Sequence, residues 1–343
     1  MTIEKRPRFE AMDCAKGLAM VSVIVGHSPS IPDLLRRFCF TFHMPFFFFA
    51  SGFFSKEEGL SRQYVRKQFK SLVVPYCATS IILVALMTLK AAFGPAPLIP
   101  TFTSWTLACL YGSGGVFPGM PDGVIAVGAI WFLLALFWAK LFLAAVHKTG
   151  HPTVWVLGLF ALGLKTKEFV WLPFSIQAGM CACLFLYIGQ RFKSSASVVE
   201  GQGKLAIRLP AILWACLAFC WVYCILHAGH LYMVSNTYEN GVLDILGGIS
   251  GSLCLIKLCG LLCAYGPRIA RPLMWLGRNT LPILCMHLVE LNVFGSLLWR
   301  LGETTWLIPL ALQFAFTAVL VSMLYFAPRF VSSPFFASRR QKG

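Results

Sequence analysis

The chain has 343 residues, of which 58% are hydrophobic and 12% are charged, and its mean hydropathy is +0.73. Soluble domains carry about 25% charged residues, so this composition excludes an ordinary soluble protein and indicates an integral membrane protein. The net charge of +16 raises the question of a nucleic-acid partner. The placement of the basic residues indicates membrane topology instead, and no nucleic acid is expected.

Ten apolar segments have roughly the length of about 20 residues that a helix needs to cross a bilayer. The sequence therefore predicts an all-α membrane protein of about ten transmembrane helices, forming a single domain over 1–343. The predicted spans are 11–29, 37–54, 71–93, 123–146, 153–165, 171–190, 209–228, 242–264, 279–299 and 305–327. The stretch 101–112 is too short to span and is a candidate for the membrane interface.

The Lys and Arg residues between these spans predict the orientation, because they are enriched on the cytoplasmic side. With the N-terminus inside, 20 of the 29 Lys and Arg residues fall in inside segments or termini and five in outside loops. Both termini are therefore predicted to be cytoplasmic. The segment 94–121 is predicted to be outside, and its Pro and Gly residues predict a loop ordered by turns, without regular structure. We expect no secretory signal.

The first predicted span carries Asp13, Lys16 and His27, and ionisable groups inside membrane spans are costly and mark functional sites. Lys16 and His27 are eleven residues apart, which places them on one helical face about 16 Å apart along the axis. Asp13 and Lys16 are i,i+3 neighbours and can pair. One helix face therefore offers a cation in its cytoplasmic half and an imidazole near its outer end.

The second and ninth predicted spans add His43 and His287. Each histidine alone has the simpler interpretation of an interhelical hydrogen-bond donor. Three histidines in spans that can face one cavity favour general base chemistry, since imidazole titrates near neutral pH. No His-x-x-x-His pair lies within a span, and no metal is expected. The ninth span opens at Asn279, which suits an N-cap, and carries Glu290 one turn beyond His287.

Basic residues recur on successive turns of the segment 60–76, at Arg62, Arg66 and Lys70, with Lys67 beside them. One interpretation is an anchor for anionic lipids on the cytoplasmic surface. The other is a clamp for a phosphate-bearing ligand. The sequence pattern leaves both open.

Five sequence blocks together resemble acyltransferase family 3 and are most similar to its fucose 4-O-acetylase-like branch. In chain order they are DCAKGLAMVSVIVGH, FHMPFFFFASGFF, RKQFKSLVVPY, IWFLLALF and GRNTLPILCMH. The resemblance extends over about residues 11–330. It implies about ten transmembrane helices and transfer of an acyl group, usually acetyl from cytoplasmic acetyl-CoA, to a hydroxyl across the membrane. The expected partners are acyl-CoA, a glycan or lipid-linked sugar and membrane lipids, in the inner (plasma) membrane of a bacterium.

The family's basic-residue–ten–His element falls on Lys16 and His27, which implies that His27 is the catalytic histidine. The family often has Arg at the position of Lys16, and Lys cannot form the same bidentate contacts. His43 and His287 are assigned to orienting the acceptor or stabilising the oxyanion, and Asp13 to holding Lys16. The expected donor-binding residues are Lys16, Arg62, Arg66, Lys67 and Lys70. The expected supporting residues are Asp13, Arg278, Asn279 and Glu290.

Two other classes of function stay open at this point. A transporter or flippase of a polar or lipid-linked solute would use the histidines as a proton relay, and inverted repeats would favour it, but none is evident. A sensory membrane domain would accompany a separate enzyme domain, and we expect no such fused domain here. The sequence leaves open the acceptor, acetyl against another short acyl group, and direct transfer against an acyl-histidine intermediate.

Overall fold

The computed structural model describes residues 9–195, 198–201, 204–228 and 230–326, and in these ranges the chain is almost wholly helical. The helices are α1 (Glu10–His27), α2 (Asp33–Phe53), α3 (Arg62–Gln68), α4 (Val74–Ala92), α5 (Leu98–Tyr111), α6 (Trp131–Val146), α7 (Pro152–Thr166), α8 (Ile176–Lys193), α9 (Ala211–His227), α10 (Val242–Tyr265), α11 (Pro267–Arg278), α12 (Thr280–Gly302) and α13 (Leu307–Phe326). A π-helical turn, Phe69–Val73, joins α3 to α4. A small antiparallel hairpin pairs β1 (Val198–Gly201) with β2 (Lys204–Ile207).

The helical fold class is confirmed, and each predicted span overlaps a helix. Among the described residues, four helical segments are long and apolar enough, by length and composition, to cross a membrane: Arg62–Ala92, Val242–Tyr265, Thr280–Gly302 and Leu307–Tyr325. Shorter apolar helices are Trp131–Val146, Pro152–Thr166 and Ala211–His227. The number of ten spans stays a prediction. The two termini, residues 1–8 and 327–343, lie outside the described residues. Their cytoplasmic location therefore stays a prediction.

Two predictions about the segment between α4 and α6 were wrong. The segment 94–121 is not without regular structure, because it contains the 14-residue helix α5, which ends where Gly112 adopts the left-handed conformation (φ 70°). The predicted span 123–146 becomes helical only at Trp131, since Gly123 and Gly128 both have positive φ and break the regular backbone. The hairpin was also not predicted. Its strands contain β-branched residues, but each has only four residues, which is too short for a recognisable strand pattern beside the long helical segments.

Close backbone contacts at glycines set the position of α1. A Cβ atom at Gly17 would clash with the carbonyl oxygen of Leu273, and one at Gly277 would clash with that of Asp13. Small residues allow helix backbones to approach in this way in membrane proteins. The contact fastens α1 to α11 and brings the end of α11 beside the N-terminal half of α1.

The π-helical turn at Phe69–Val73 precedes Pro75. Proline has no N–H, and in a regular α-helix its ring clashes with the carbonyl four residues earlier. A wider turn, of the kind often found at functional sites, accommodates it. Tyr76, which follows, is buried and donates a hydrogen bond of 2.6 Å to the carbonyl oxygen of Cys109, so α4 holds α5.

Candidate active site

The first helix carries both parts of the element predicted from the sequence. Lys16 and His27 lie on the unbroken helix α1, and both are partly exposed in a helix of mostly buried residues. His27 donates its Nδ1–H to the carbonyl oxygen of Val23 at 2.7 Å. This contact leaves the lone pair on Nε2, the atom that could accept a proton.

His287 lies directly beside His27. The ring centroids are 5.7 Å apart with an interplanar angle of 73°, an edge-to-face contact. Nδ1 of His287 lies 2.9 Å from Oε2 of Glu290, and both side chains are 0% exposed. Within the described residues, Nε2 of His287 and Oε1 of Glu290 are buried without a hydrogen-bond partner. A base oriented by a second group is a recurring arrangement in catalytic sites.

His43 reaches this cluster through the ring of Phe40. It donates Nδ1–H to the carbonyl oxygen of Cys39 at 2.6 Å and is 2% exposed. The Phe40 centroid lies 4.9 Å from that of His43 and 6.2 Å from that of His27. The three histidines predicted from the sequence therefore lie in one cluster. His27 contacts His287 edge to face, and the Phe40 ring contacts both His27 and His43.

Arg36, one of the five basic residues that the sequence places in outside loops, also belongs to this cluster. Its guanidinium donates to the carbonyl oxygens of Ser28 (3.2 Å) and Gly26 (3.4 Å) at the end of α1. The positive charge therefore lies against the residues that flank His27. A signal was present, because Arg36, Phe40 and His43 have i, i+4, i+7 spacing and share one face of α2.

The loop after α9 supplies two more aromatic rings that the sequence analysis missed. The Phe40 centroid lies 6.0 Å from that of His230 and 5.2 Å from that of Tyr232. His230 and Tyr232 stack at 5.5 Å and 24°, and Nε2 of His230 lies 3.4 Å from Oδ1 of Asp33. Burial lowers the pKa of His230 below its usual value, and the Asp33 carboxylate acts in the opposite direction.

In the N-terminal half of α1, the buried carboxylate of Asp13 contacts two cations. Oδ1 lies 3.5 Å from Nζ of Lys16, and Oδ2 accepts a hydrogen bond of 3.0 Å from Nε of Arg278. The pairing of Asp13 with Lys16 inferred from i,i+3 spacing is present. Arg278 lies on α11, far from Asp13 in the sequence, so this second contact with the carboxylate could not be inferred from helical spacing.

The four basic residues of the segment 60–76 are exposed. An open depression of about 1210 Å³ is lined by Arg62, Gln63, Val65, Arg66 and Phe69. Two of the five predicted donor-binding residues, Arg62 and Arg66, therefore line a surface depression. Lys67 is on α3 as well, and Lys70 lies in the π-helical turn.

Asn279 has a different role from the predicted one. It stands before α12, but its side chain makes no capping hydrogen bond to that helix. Instead, its amide donates to the carbonyl oxygen of Trp275 at 2.8 Å, and its oxygen accepts a hydrogen bond from the Tyr325 hydroxyl. Asn279 therefore connects the end of α11 to α13.

In the described part of the chain, no group of three His, Cys, Asp or Glu side chains is arranged to hold a metal ion. These side chains can position a hydroxyl beside the imidazole of His27, and Lys16 supplies a separate cation in the N-terminal half of the same helix.

The family model described as an acyltransferase domain, that of acyltransferase family 3, matches residues 9–327. No curated protein and no solved structure matches the chain at a significant level. The family match includes every residue of the histidine cluster, the Asp13 contacts and the basic segment. Because it covers nearly the whole sequence, the chain belongs to acyltransferase family 3.

Proposed function

We propose that this protein is a membrane O-acyltransferase that moves an acetyl or other short acyl group from cytoplasmic acyl-CoA to a hydroxyl of an extracytoplasmic or lipid-linked glycan. The observation that carries the proposal is the arrangement on α1, where His27 meets His287 at one end and Lys16 lies with Asp13 toward the other. A donor from one side and an acceptor from the other can meet along this helix.

The proposed topology has ten spans and both termini in the cytoplasm. It puts the basic residues Arg62, Arg66, Lys67 and Lys70 on the donor side, where the polyanionic nucleotide of acyl-CoA arrives. The exposure of these four residues and the depression beside Arg62 and Arg66 support this role. The thioester then passes Lys16 toward His27, over the distance of about 16 Å that eleven helical residues span.

In the proposed reaction, Nε2 of neutral His27 takes the proton of the acceptor hydroxyl as its oxygen attacks the thioester carbonyl. The tetrahedral intermediate collapses to the ester as the C–S bond breaks, and the departing coenzyme A thiolate receives from His27 the proton that the acceptor hydroxyl gave up. Positioned proton transfer of this kind contributes typically about 10²–10⁴-fold. His287 and His43 are assigned to orienting the acceptor or donating to the oxyanion, and the acyl-histidine route is the alternative.

We assign the acceptor to the outer end of the cluster, where the Phe40 ring contacts the rings of His27, His230 and Tyr232. The Phe40 ring packs so closely on Gly26 that a Cβ there would have to displace it, so the ring is held beside the histidine. Flat apolar faces next to imidazole and hydroxyl groups suit a polyhydroxylated ring, which presents both apolar and polar edges.

The test is transfer itself. Purified protein in lipid nanodiscs receives acetyl-CoA labelled in the acetyl group, and envelope glycans from cells with and without the gene are compared by mass spectrometry. We expect O-acetyl groups that depend on the protein, and labelled acetyl on the same glycan in vitro.

The buried His287–Glu290 pair would also suit a proton relay in a transporter. Proton-coupled movement of a solute in proteoliposomes, together with no acyl transfer to any envelope glycan, would favour that function over the acyltransferase.

A further inference from the structure

Two lysines from different helices lie on the aromatic rings at the inner end of α2. Nζ of Lys16, from α1, is 4.5 Å from the centroid of the Phe54 ring. Nζ of Lys193, from the end of α8, is 5.6 Å from that of the Phe53 ring. The two rings contact each other at 5.4 Å and 78°, so the two ammonium groups lie on neighbouring rings.

A third lysine, Lys140 of α6, contacts Ser55, the residue that follows Phe54. Its Nζ lies 3.5 Å from Oγ of Ser55. The backbone carbonyl of Lys140 also accepts a hydrogen bond of 3.4 Å from the hydroxyl of Tyr64, which lies on α3 among the exposed basic residues. We call Lys16, Lys140 and Lys193 the inner lysine site.

The three lysine side chains lie at the edge of the buried helix packing and not on the open surface. Phe53 is 0% exposed, whereas the three lysines are partly exposed, so their charges lie at the boundary between the helix packing and the open side. The last turn of α2 has no basic residue of its own. One cation would complement the negative end of a helix, but three helices each deliver one.

We propose that the inner lysine site binds the phosphates of the coenzyme A thioester. This inference rests on the proposed function, because it takes the donor from there. It adds Lys140 and Lys193 to the donor-binding residues and places the phosphates deeper than the exposed segment of α3. With the phosphates held at Phe53–Ser55, the pantetheine arm runs along the face of α1 from Lys16 to His27.

Phosphate is also the headgroup chemistry of anionic lipids, and the experiment separates the two sources. The full-length protein is placed in nanodiscs of phosphatidylcholine alone, or with added phosphatidylglycerol, and coenzyme A binding is measured by isothermal titration calorimetry. The variants are Lys193→Gln, Lys140→Gln and the double variant. The matched control is Lys257→Gln, since Lys257 lies 5.5 Å from the Trp214 centroid in a similar cation–π contact elsewhere.

We expect the double variant to raise the Kd for coenzyme A about tenfold or more in phosphatidylcholine discs, which corresponds to about 1.4 kcal/mol. Each single variant should raise it by a smaller factor and the control should leave it unchanged. The thermal unfolding midpoint of each single variant tests folding independently. Added phosphatidylglycerol should leave the wild-type Kd within twofold.

Two results would overturn the inference while leaving the proposed function intact. One is an unchanged coenzyme A affinity in all three variants. The other is a loss of retained phosphatidylglycerol from the variants without a change in coenzyme A affinity, which would make the inner lysine site a lipid site. Absence of coenzyme A binding to the unaltered protein would count against both the inference and the proposed donor.

Discussion

The imidazole rings of His27 and His287 lie edge to face at 5.7 Å, although 260 positions separate them in the sequence. Each ring has its Nδ1 committed, His27 to the carbonyl oxygen of Val23 and His287 to Glu290. The two Nε2 atoms are therefore the positions at which protons can be exchanged with a substrate. This pairing leads to a division of labour that mutation can resolve.

Glu290 is expected to act as a positioning residue for His287. Replacing Glu290 with Gln keeps its size but exchanges the carboxyl group that lies 2.9 Å from Nδ1 of His287 for an amide, which cannot ionise. We expect kcat to fall about tenfold, or about 1.4 kcal/mol of transition-state stabilisation, with little change in KM for acyl-CoA. The matched control is Glu303→Gln, at the exposed end of the same helix. A rise in KM for acyl-CoA with unchanged kcat would contradict this role.

Tyr232 is expected to contribute to acceptor binding. Tyr232→Leu removes a ring that contacts both Phe40 and His230, and aromatic contacts of this kind contribute about 0.5–1.5 kcal/mol. We expect KM for the glycan identified by mass spectrometry to rise about two- to tenfold, with KM for acetyl-CoA unchanged. Tyr223→Leu is the control, because Tyr223 contacts His227 at 4.9 Å on α9. Equal effects of the two substitutions would argue against an acceptor site at Tyr232.

The backbone contact between α1 and α11 is expected to be essential for stability. In Gly277→Ala the new Cβ meets the carbonyl oxygen of Asp13, and overpacking of this kind costs typically about 1–3 kcal/mol. We expect a lower unfolding midpoint in detergent. The same substitution at Gly295, in the interior of α12, meets nothing within 4 Å and should be neutral or stabilising by up to about 1 kcal/mol. A midpoint for Gly277→Ala at or above that of Gly295→Ala would show that the contact is not tight.

The orientation in the membrane is tested by labelling single cysteines in a background without the 13 native ones. Val116→Cys lies in the segment predicted to be outside, at an exposed position, and should react with an impermeant maleimide in intact cells. Ser195→Cys should react only after the membrane is opened. The reverse pattern would invert the topology derived from the Lys and Arg placement.

Apolar segment length was enough to place a helix in each of the ten predicted spans, because a helix in a bilayer must satisfy its own backbone and so needs a long apolar run. It did not predict α5 or α11, which lie between those spans. Helical spacing was also enough for the Asp13–Lys16 pair. Arg278 was named as a supporting residue, but its contact with Asp13 depends on the backbone approach at Gly17 and Gly277, which no local pattern specifies. His230 and Tyr232 were missed for the same reason, since only the fold of the loop after α9 brings them to Phe40.

The central claim is that His27 is the base, and its most direct test is the rate of acetyl transfer by His27→Ala in nanodiscs, measured beside His43→Ala and His287→Ala. We expect His27→Ala to lose about 10²–10⁴-fold in rate, while it still inserts in the membrane and binds coenzyme A like the unaltered protein. His43→Ala and His287→Ala should keep partial activity. Near-native transfer by His27→Ala together with an inactive His287→Ala would contradict the account and assign the base to α12.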